Sequence, residues 1–425
     1  MGHSSLNLRQ RLASVGVASL MTCAALAGEL PSLPAPGSVA PKLAALARSI
    51  LGAEQGVYVE AADGSILLAQ AAARAVHPAS VSKVPTTLAL LRRLGPEYRF
   101  VTTFTAGGQV HDGALDGDLI VVSDGDPYFV DENALLVALR LNELGVRRVA
   151  GTLRPGGALT FDWQSDNDAT HLRQALSGMA PAAAWTAVRS LAPAALSSTW
   201  QSPPALKFEG SAGPFTTGPA GLRPLVIHRS QPLLSLAKSL NDYSNNIFKP
   251  LADAAGGAAA VERLARLEVP AAMRSEIILG DGAGTNARNR LSPRAAVKLL
   301  RALERELARS GHALFDILPV AGVDAGTLRD RMNAPAEAGR VVGKTGTFGD
   351  YGASALIGAI STSDRGTVYF AILNHGVPVA KARLRQDRFM HEVLASLHTL
   401  PWPYQRDERP AVARAEALLA GAATP

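Results

Sequence analysis

Three short motifs in this chain carry the residue types that nucleophilic catalysis requires. In chain order they are Ser80-Val81-Ser82-Lys83, Ser244-Asn245-Asn246 and Lys344-Thr345-Gly346. Each motif is weak evidence alone, since a K-T-G triplet arises by chance in roughly one chain in twenty of this size. Their occurrence together and in this order predicts a serine enzyme that forms an acyl intermediate.

The first motif pairs a nucleophile with a base. Ser80 and Lys83 are three residues apart, so a helix would place them on one face. A serine hydroxyl is a weak nucleophile, and Lys83 can activate it if burial and the charge of Lys344 lower the lysine pKa. The backbone N–H of Ser80, at the start of the helix, can stabilise a developing negative charge. The alternative interpretation is a solvated helix face, which the other two motifs disfavour.

The second motif places polar side chains directly after a helix that Pro232 opens. Ser244 can relay a proton to a leaving amine, and Asn246 can orient a substrate amide and Lys83. Alone, this stretch would be interpreted as an ordinary polar turn. A catalytic role is therefore predicted only from its combination with the other two motifs.

The third motif indicates an anion-binding strand at the edge of a sheet. Lys344 and Thr345 can hold a substrate carboxylate, the ammonium by its charge and the hydroxyl by a hydrogen bond. Gly346 would permit close approach of the substrate, and the N–H of Thr347 would join that of Ser80 in an oxyanion hole. The alternative is a lysine at the end of a strand, which the glycines on both sides of this pair disfavour.

The composition agrees with lysine chemistry and argues against some functional classes. Of the 42 Lys+Arg residues only 8 are lysines, yet both motif positions are lysine. Arginine cannot lose its proton near neutral pH, whereas a desolvated lysine can, so the identity of Lys83 supports a base. The net charge of +6 is small and no basic run contains interleaved aromatic residues, so no nucleic-acid binding is expected. The nine histidines lack metal-ligand spacing, and no metal or other cofactor is predicted.

The N-terminus has the pattern of an export signal. Two arginines precede an apolar or small stretch over 12–26, and Ala25-Leu26-Ala27 has the form of a cleavage site. We therefore predict a signal peptide over 1–27, a periplasmic location and no stable membrane span after its removal. A membrane anchor is the alternative. The only cysteine, Cys23, lies inside this stretch, and the sequence leaves open whether it is lipidated.

The rest of the pattern predicts a mixture of strands and helices. Asp63-Gly64 is expected to join two short strands as a hairpin, and Pro85 to disturb the first turns of the helix that begins at Ser80. Over 155–225, which is rich in Pro, Gly, Ser and Ala, no element is predicted. The predicted strands are 57–60, 66–69, 100–105, 118–122, 148–153, 340–347, 354–361 and 367–373, and the predicted helices 41–51, 80–94, 131–144, one opened by Pro232, 294–307 and 383–397.

Several segments beyond the triplet point to one known family. They are Pro78-Ala79-Ser80-Val81-Ser82-Lys83, Leu94-Gly95-Pro96-Glu97-Tyr98-Arg99-Phe100, Gly117-Asp118-Leu119, Gly125-Asp126-Pro127, Leu318-Pro319-Val320-Ala321-Gly322-Val323-Asp324 and Gly326-Thr327-Leu328-Arg329. With these segments the chain resembles the class C low-molecular-mass penicillin-binding proteins, D-Ala-D-Ala carboxypeptidases that can also act as endopeptidases. The resemblance covers about residues 50–150 and 230–400.

The resemblance implies an α/β (α+β) fold with a discontinuous transpeptidase-like domain, an antiparallel sheet flanked by helices, and a smaller inserted α+β domain. The expected limits are 28–96 with 226–405 for the catalytic domain, 97–225 for the insert and 406–425 for a loose tail. Only 164 residues separate Ser80 from Ser244, so a shortened insert is expected. In relatives the insert contacts the diamino-acid side chain of peptidoglycan, and the sequence does not place those contacts here.

The resemblance also implies the substrate and the site. Peptidoglycan stem peptides would be the substrates, and β-lactam antibiotics would acylate the enzyme. The implied catalytic residues are Ser80, Lys83 and Ser244, and the implied substrate-binding residues are Asn246, Lys344, Thr345, Gly346 and Thr347. Asp281-Gly282-Ala283-Gly284 departs from the family's D-G-S-G, which puts one site loop in question.

Two alternatives stay open at this stage. The first is a β-lactamase or esterase on the same scaffold, against which the insert and the lack of a separate acid for fast deacylation argue. The second is a cell-wall-binding protein with a degenerate site, which the intact triplet opposes and the shortened insert favours. The oligomeric state is not indicated.

Overall fold

The computed structural model describes residues 39–192, 200–211, 213, 223–242, 248–349 and 352–421. The predicted signal peptide and the start of the predicted catalytic domain, up to residue 38, lie outside these ranges. The α-helices, in chain order, are α1 Val39–Leu46, α2 Lys83–Leu94, α3 Asp131–Glu143, α4 Thr170–Gln174, α5 Ala182–Arg189, α6 Leu233–Asp242, α7 Phe248–Ala254, α8 Ala258–Leu267, α9 Pro293–Arg309 and α10 Val379–Ser396.

Most strands are short, and the longest follow one another late in the chain. They are β1 Gly56–Ala61, β2 Ile66–Gln70, β3 Val101–Ala106, β4 Gln109–His111, β5 Ala114–Asp116, β6 Leu119–Ser123, β7 Arg148–Val149, β8 Leu153–Pro155, β9 Thr160–Phe161, β10 Gln164–Ser165, β11 Lys207–Phe208, β12 Arg223–Arg229, β13 Ile277–Ile278, β14 Arg290–Leu291, β15 Val341–Phe348, β16 Ala353–Thr362, β17 Gly366–His375, β18 Thr399–Leu400 and β19 Glu416–Leu419.

The main sheet is antiparallel, with strand order β15-β16-β17-β1-β2, and β18 pairs with β16. The predicted hairpin is β1-β2, and the three strands predicted near the end of the chain are β15, β16 and β17. β15, which carries the K-T-G motif, lies at one end of this order. The predicted antiparallel sheet with an edge strand is therefore confirmed.

Successive side chains along each strand point to opposite faces of this sheet, and helices pack against both faces. On β17, Val368, Phe370 and Ile372 pack with α1 and α10, whereas Tyr369 and Leu373 pack with α2, α6 and α9. Both sets are buried, as expected for a central strand enclosed on two sides. The layered core fixes β15 and α2, which carry two of the motifs.

The start of α2 is irregular, as Pro85 predicts. Ala79–Ser82 form a 3-10 turn, and the α-helix begins only at Lys83. Proline lacks an N–H and is tolerated in the first turn of a helix, where that donor has no partner within the helix. Ser80 therefore lies in a tight turn ahead of α2.

A second sheet, with strand order β19-β12-β3-β6-β8, packs on α3 around Phe104, Leu119 and Val137. It contains the predicted strands 100–105 and 118–122 as β3 and β6. The strand predicted over 148–153 is instead two short strands, β7 and β8, which pair in different sheets. The 155–225 stretch, where no element was predicted, contains α4, α5 and β9–β11 and the start of β12.

The prediction of a loose tail over 406–425 is wrong for residues 411–419. Ala411–Arg414 form a 3-10 turn, and β19 pairs antiparallel with β12. Ala417, on β19, is buried in the core of the second sheet. The limit predicted at residue 226 also falls inside β12, which pairs with β3 from Arg223 onward. Among the described residues, no helix is both long and apolar enough to cross a membrane.

Candidate active site

Ser80 sits in a turn whose backbone is strained and held from one side by a histidine. Ala79, the preceding residue, has φ 49°, which is unfavourable for a residue with a Cβ. The Ala79 N–H donates to Nδ1 of His77 at 3.1 Å, and Nε2 of His77 lies 3.0 Å from the carbonyl of Asn286. These partners assign the proton to Nε2 and make His77 neutral. The His77 ring stacks on Phe348 at 3.9 Å.

Two glycines let other segments approach this turn. A Cβ added to Gly346 would lie 2.8 Å from the Pro78 carbonyl oxygen and 3.0 Å from the Ser80 nitrogen. A Cβ added to Gly284, whose φ is +93°, would lie 2.0 Å from the Ala79 carbonyl oxygen. The sequence suggests that Gly346 permits close approach of a substrate. The structure shows that it permits close approach of the turn that contains Ser80, the predicted nucleophile; we refer to this turn as the nucleophile turn.

Lys83 is the first residue of α2, and its side chain is enclosed. It is 1% exposed, and its Nζ lies 4.7 Å from the ring centroid of Phe248. Burial and then the positive charge of Lys344 lower the pKa of Lys83 to about 6, and Asp281 opposes this shift. A large fraction of Lys83 is therefore neutral at pH 7, which is the form a general base requires.

Lys344 is the second buried lysine of the site. Its Nζ donates to the carbonyl of Thr345 at 3.0 Å, and the side chain is fully enclosed. Burial lowers its pKa to about 8, while the carboxyl of Asp242 raises it. At pH 7 Lys344 is therefore mostly protonated, so the site contains one cationic and one largely neutral lysine.

The two hydroxyls of the K-T-G-T segment have different partners. Thr345 is buried, and its hydroxyl donates to the hydroxyl of Thr327 at 2.7 Å. Thr347 is exposed, and its hydroxyl accepts from Nη2 of Arg383, on α10, at 2.6 Å. An exposed guanidinium at the end of β15 adds positive potential where an anionic group would bind.

Ser244 and Asn246 lie outside the described residues. The described chain stops at Asp242, the end of α6, and resumes at Phe248, the start of α7. The described residues on either side, Asp242 and Phe248, both lie near the site. Phe248 contacts Lys83, and the carboxyl of Asp242 raises the pKa of Lys344. Burial raises the pKa of Asp242 itself to about 7, against the lowering effect of Lys238.

The loop that begins at Asp281 supports the nucleophile turn. The Asp281 carboxylate accepts from the backbone N–H groups of Gly284, Thr285 and Asn286 at 2.7–2.9 Å. Although burial opposes it, the pKa of Asp281 is lowered to about 2 by side-chain hydrogen bonds from Thr285 and Asn289 and then by the N–H groups of Gly284 and Thr285. Ala283, at which the segment departs from the expected D-G-S-G, is 2% exposed and packs in the core.

The sequence missed four residues that the fold brings to this site. His77 immediately precedes the P-A-S segment, and Thr327 lies in the G-T-L segment, so proximity to a motif was a usable signal for both. No motif close in sequence indicates that Asp242 or Arg383 lies at the site. Among the described residues, no group of three or more His, Cys, Asp or Glu could hold a metal ion.

Solved structures of similar fold include a predatory endopeptidase and a penicillin-binding protein. A penicillin G-acylated predatory endopeptidase from Bdellovibrio bacteriovorus, in complex with an immunity protein, is 22% identical with a TM-score of 0.70, covering 83% of this chain and 95% of that one. Penicillin-binding protein 4 from Haemophilus influenzae, complexed with a β-lactam, is 20% identical with a TM-score of 0.57, covering 83% and 99%. At these identities the likeness establishes the fold.

Sequence comparison adds a relative and a family. A D-alanyl-D-alanine carboxypeptidase from Haemophilus influenzae is 32% identical over 75 residues, which is 18% of this chain and only 16% of that protein. The model of the D-Ala-D-Ala carboxypeptidase 3 (S13) family matches residues 39–176 and 179–396, most of the chain. With the fold and the two lysine motifs in place, the chain belongs to the D-Ala-D-Ala carboxypeptidase 3 (S13) family.

Proposed function

We propose that this protein is a serine D-Ala-D-Ala carboxypeptidase, with endopeptidase activity on cross-linked stem peptides of peptidoglycan. The observation that carries the proposal is the enclosed Lys83, with a pKa of about 6, one turn after Ser80. Membership of the family gives the reaction class, and the neighbouring endopeptidase and penicillin-binding protein 4 folds support it.

In the acylation step, Ser80 Oγ attacks the carbonyl of the penultimate D-Ala while neutral Lys83 takes the serine proton. The tetrahedral oxyanion is stabilised by the N–H groups of Ser80 and Thr347. The close approach of Gly346 to the Ser80 nitrogen supports this pairing. Ser244 passes the proton to the departing amine, Asn246 orients the acyl part, and D-Ala leaves with its carboxylate held by Lys344 and Thr345, beside Gly346.

In the deacylation step, water attacks the acyl-enzyme and Lys83 again acts as base. A β-lactam forms the same ester but keeps its leaving group attached, so its acyl-enzyme is long-lived. The sequence supplies no separate acid dedicated to fast deacylation. This arrangement favours slow release of β-lactams over a β-lactamase, and an intact lysine pair favours an enzyme over a binding protein with a degenerate site.

The location and the domain division belong to the same proposal. An enzyme that acts on peptidoglycan stem peptides works outside the cytoplasm, and a signal peptide over 1–27 would deliver this chain to the periplasm. The second sheet has its own hydrophobic core, which supports the insert as a separate folding unit. Its limits would then include β12 and β19.

The experiment is release of D-Ala from a diacetylated Lys-D-Ala-D-Ala peptide, followed for the wild type and for Ser80→Ala. We expect steady release by the wild type and none above background by the variant. A cross-linked muropeptide dimer in the same assay tests the endopeptidase activity. Wild type that binds peptidoglycan without releasing D-Ala or cleaving the dimer would favour the binding-protein alternative.

A further inference from the structure

Residues 319–328 form a segment between the helix that leads to S-x-N and the strand that carries K-T-G. On the strand side, the Ala321 N–H donates to the carbonyl of Val341 at 2.8 Å. On the helix side, Lys238 Nζ, on α6, lies 2.5 Å from the Asp324 carboxylate. The segment is therefore attached to α6 and to β15 by contacts at residues outside the three motifs.

Thr327 is the residue of this segment that touches both sides at the site. Its N–H donates to the carbonyl of Asp242, the last residue of α6, at 3.0 Å. Its hydroxyl accepts from the hydroxyl of Thr345 at 2.7 Å and points its own proton at the same Asp242 carbonyl, at 3.5 Å. Gly326, with φ +90°, makes this approach feasible, since a Cβ there would lie 2.0 Å from the Asp242 carbonyl oxygen.

Each threonine hydroxyl has one proton to donate. The Asp242 carbonyl is an acceptor for the Thr327 proton, which assigns the proton between the two hydroxyls to Thr345. With this assignment the Thr345 proton is not available to a substrate carboxylate. The hydrogen bond from the Thr327 hydroxyl to Asp242 is long, and the Thr327 N–H still satisfies that carbonyl when the hydroxyl turns away. Turning the Thr327 hydroxyl proton away from the Asp242 carbonyl therefore costs little free energy.

We infer that Thr327 is a positioning residue for carboxylate recognition. When the terminal carboxylate of a substrate binds, Thr345 turns its proton to the carboxylate and Thr327 turns its own proton from Asp242 to the Thr345 oxygen. No covalent bond changes, and every hydroxyl keeps a partner throughout. The inference rests on the proposed function, because it requires a site that is acylated and that binds the carboxylate of its substrate.

The test is acylation kinetics with benzylpenicillin and with its methyl ester, which lacks the carboxylate charge. The variants are Thr327→Val, which removes the hydroxyl at similar size, and Thr327→Ser, which keeps it. Thr362→Val serves as the matched control, because Thr362 is also buried but lies near the far end of β16, at its turn to β17. For each protein the dissociation constant of the initial complex and the acylation rate constant are measured separately.

For benzylpenicillin we expect Thr327→Val to raise the dissociation constant about fivefold, the size of one lost hydrogen bond between neutral groups, because the bond that orients the Thr345 hydroxyl toward the carboxylate is missing. The rate constant should change less than about threefold. Thr327→Ser should restore wild-type binding, and Thr362→Val should retain it. For the methyl ester, the dissociation constants of Thr327→Val and the wild type should agree within about twofold, because the ester has no carboxylate to bind.

Equal weakening of the acid and the ester by Thr327→Val would overturn the inference and assign Thr327 a purely structural role. No weakening of either would overturn it as well. If the wild type itself is not acylated by benzylpenicillin, the proposed function fails and this inference fails with it. Active wild type with an unaffected variant leaves the proposed function standing and removes only the role of Thr327.

Discussion

The Cα of Gly346, on β15, faces the backbone amide of Ser80 so closely that a Cβ on Gly346 would lie 3.0 Å from the Ser80 nitrogen. The same added atom would lie 2.8 Å from the Pro78 carbonyl oxygen, and backbone cannot retreat as a flexible side chain can. The glycine of K-T-G therefore sets the distance between β15 and Ser80. This contact leads to the first prediction.

Gly346→Ala should push β15 away from the nucleophile turn and slow acylation by benzylpenicillin at least about a hundredfold, because a displacement of about 1 Å at a catalytic site can cost that much. The fold should survive, since the strand keeps its pairing with β16. The measurement is the second-order acylation rate beside a thermal melt. Gly157→Ala, at a glycine with open space around it and no positive φ, is the control for the assay. Wild-type acylation by Gly346→Ala would show that the strand is not fixed by this contact.

The acylation rate should show a bell-shaped dependence on pH. The pKa of Lys83 is lowered to about 6 by burial and by Lys344, so the base becomes available as pH rises through that value. The pKa of Lys344 is lowered to about 8 by burial, so the cation that attracts the carboxylate is lost as pH rises further. The two limbs are coupled, since the charge of Lys344 is one cause of the low pKa of Lys83.

The check is the second-order rate constant for benzylpenicillin between pH 5 and 10. We expect the acid limb near the Lys83 pKa of about 6 and the alkaline limb near the Lys344 pKa of about 8. The methyl ester serves as the comparison, since loss of the Lys344 charge should affect it less on the alkaline side. A rate that keeps rising to pH 10 would contradict the assigned protonation states of both lysines.

His77→Ala should destabilise the nucleophile turn. The variant leaves the Ala79 N–H without its acceptor, and an unsatisfied donor of this kind costs about 1–3 kcal/mol. We expect a lower midpoint in urea and slower acylation. His398→Ala, which removes an exposed histidine, should change neither quantity by more than a few tenths of a kcal/mol.

The same contact gives acid sensitivity with a definite sign. Burial, and the charge of Arg290, lower the pKa of His77, while the Asn286 carbonyl and Asp281 raise it. Neutral His77 accepts the Ala79 N–H, so its stabilisation is complete above its pKa in the unfolded chain and is lost as pH falls through the lower folded-state pKa. Equal acid denaturation curves for the wild type and His77→Ala would contradict this role.

Arg383→Gln should weaken acylation by anionic β-lactams through loss of the cation beside Thr347. We expect a decrease of about two- to tenfold at low ionic strength and a smaller one in about 0.5 M salt, because an exposed charge is screened. Arg388→Gln, at an exposed arginine one turn further along α10, is the matched control. A similar decrease in both variants would indicate a general effect of net charge.

The sequence predicts most of what is local in this fold. Alternation and turn residues indicate β1-β2 and β15–β17, the N-cap Ser292 with Pro293 marks the start of α9, and Pro85 accounts for the 3-10 turn before α2. These features depend on neighbours in the chain, and each occurs within a few residues of its predicted limits.

What the sequence could not predict depends on contacts between distant segments. The bridge from Asp242 to Thr327 joins residues 85 positions apart, and β19 gains its structure only by pairing with β12. Glu416–Leu419 is too short for periodicity to reveal a strand, and the sequence therefore predicts only a loose tail there. The support that Gly284 gives to Ala79 likewise becomes visible only when the loop is folded onto the turn.

The central claim is that Ser80 is acylated and that its lysine neighbour makes it reactive. The most direct measurement is intact mass spectrometry of the protein with and without benzylpenicillin, for the wild type and for Ser80→Ala. We predict one stable adduct with the mass of the antibiotic in the wild type and none in the variant. No adduct with the antibiotic intact, or an adduct that persists in Ser80→Ala, would contradict the account, and no adduct with the antibiotic destroyed would indicate a β-lactamase instead.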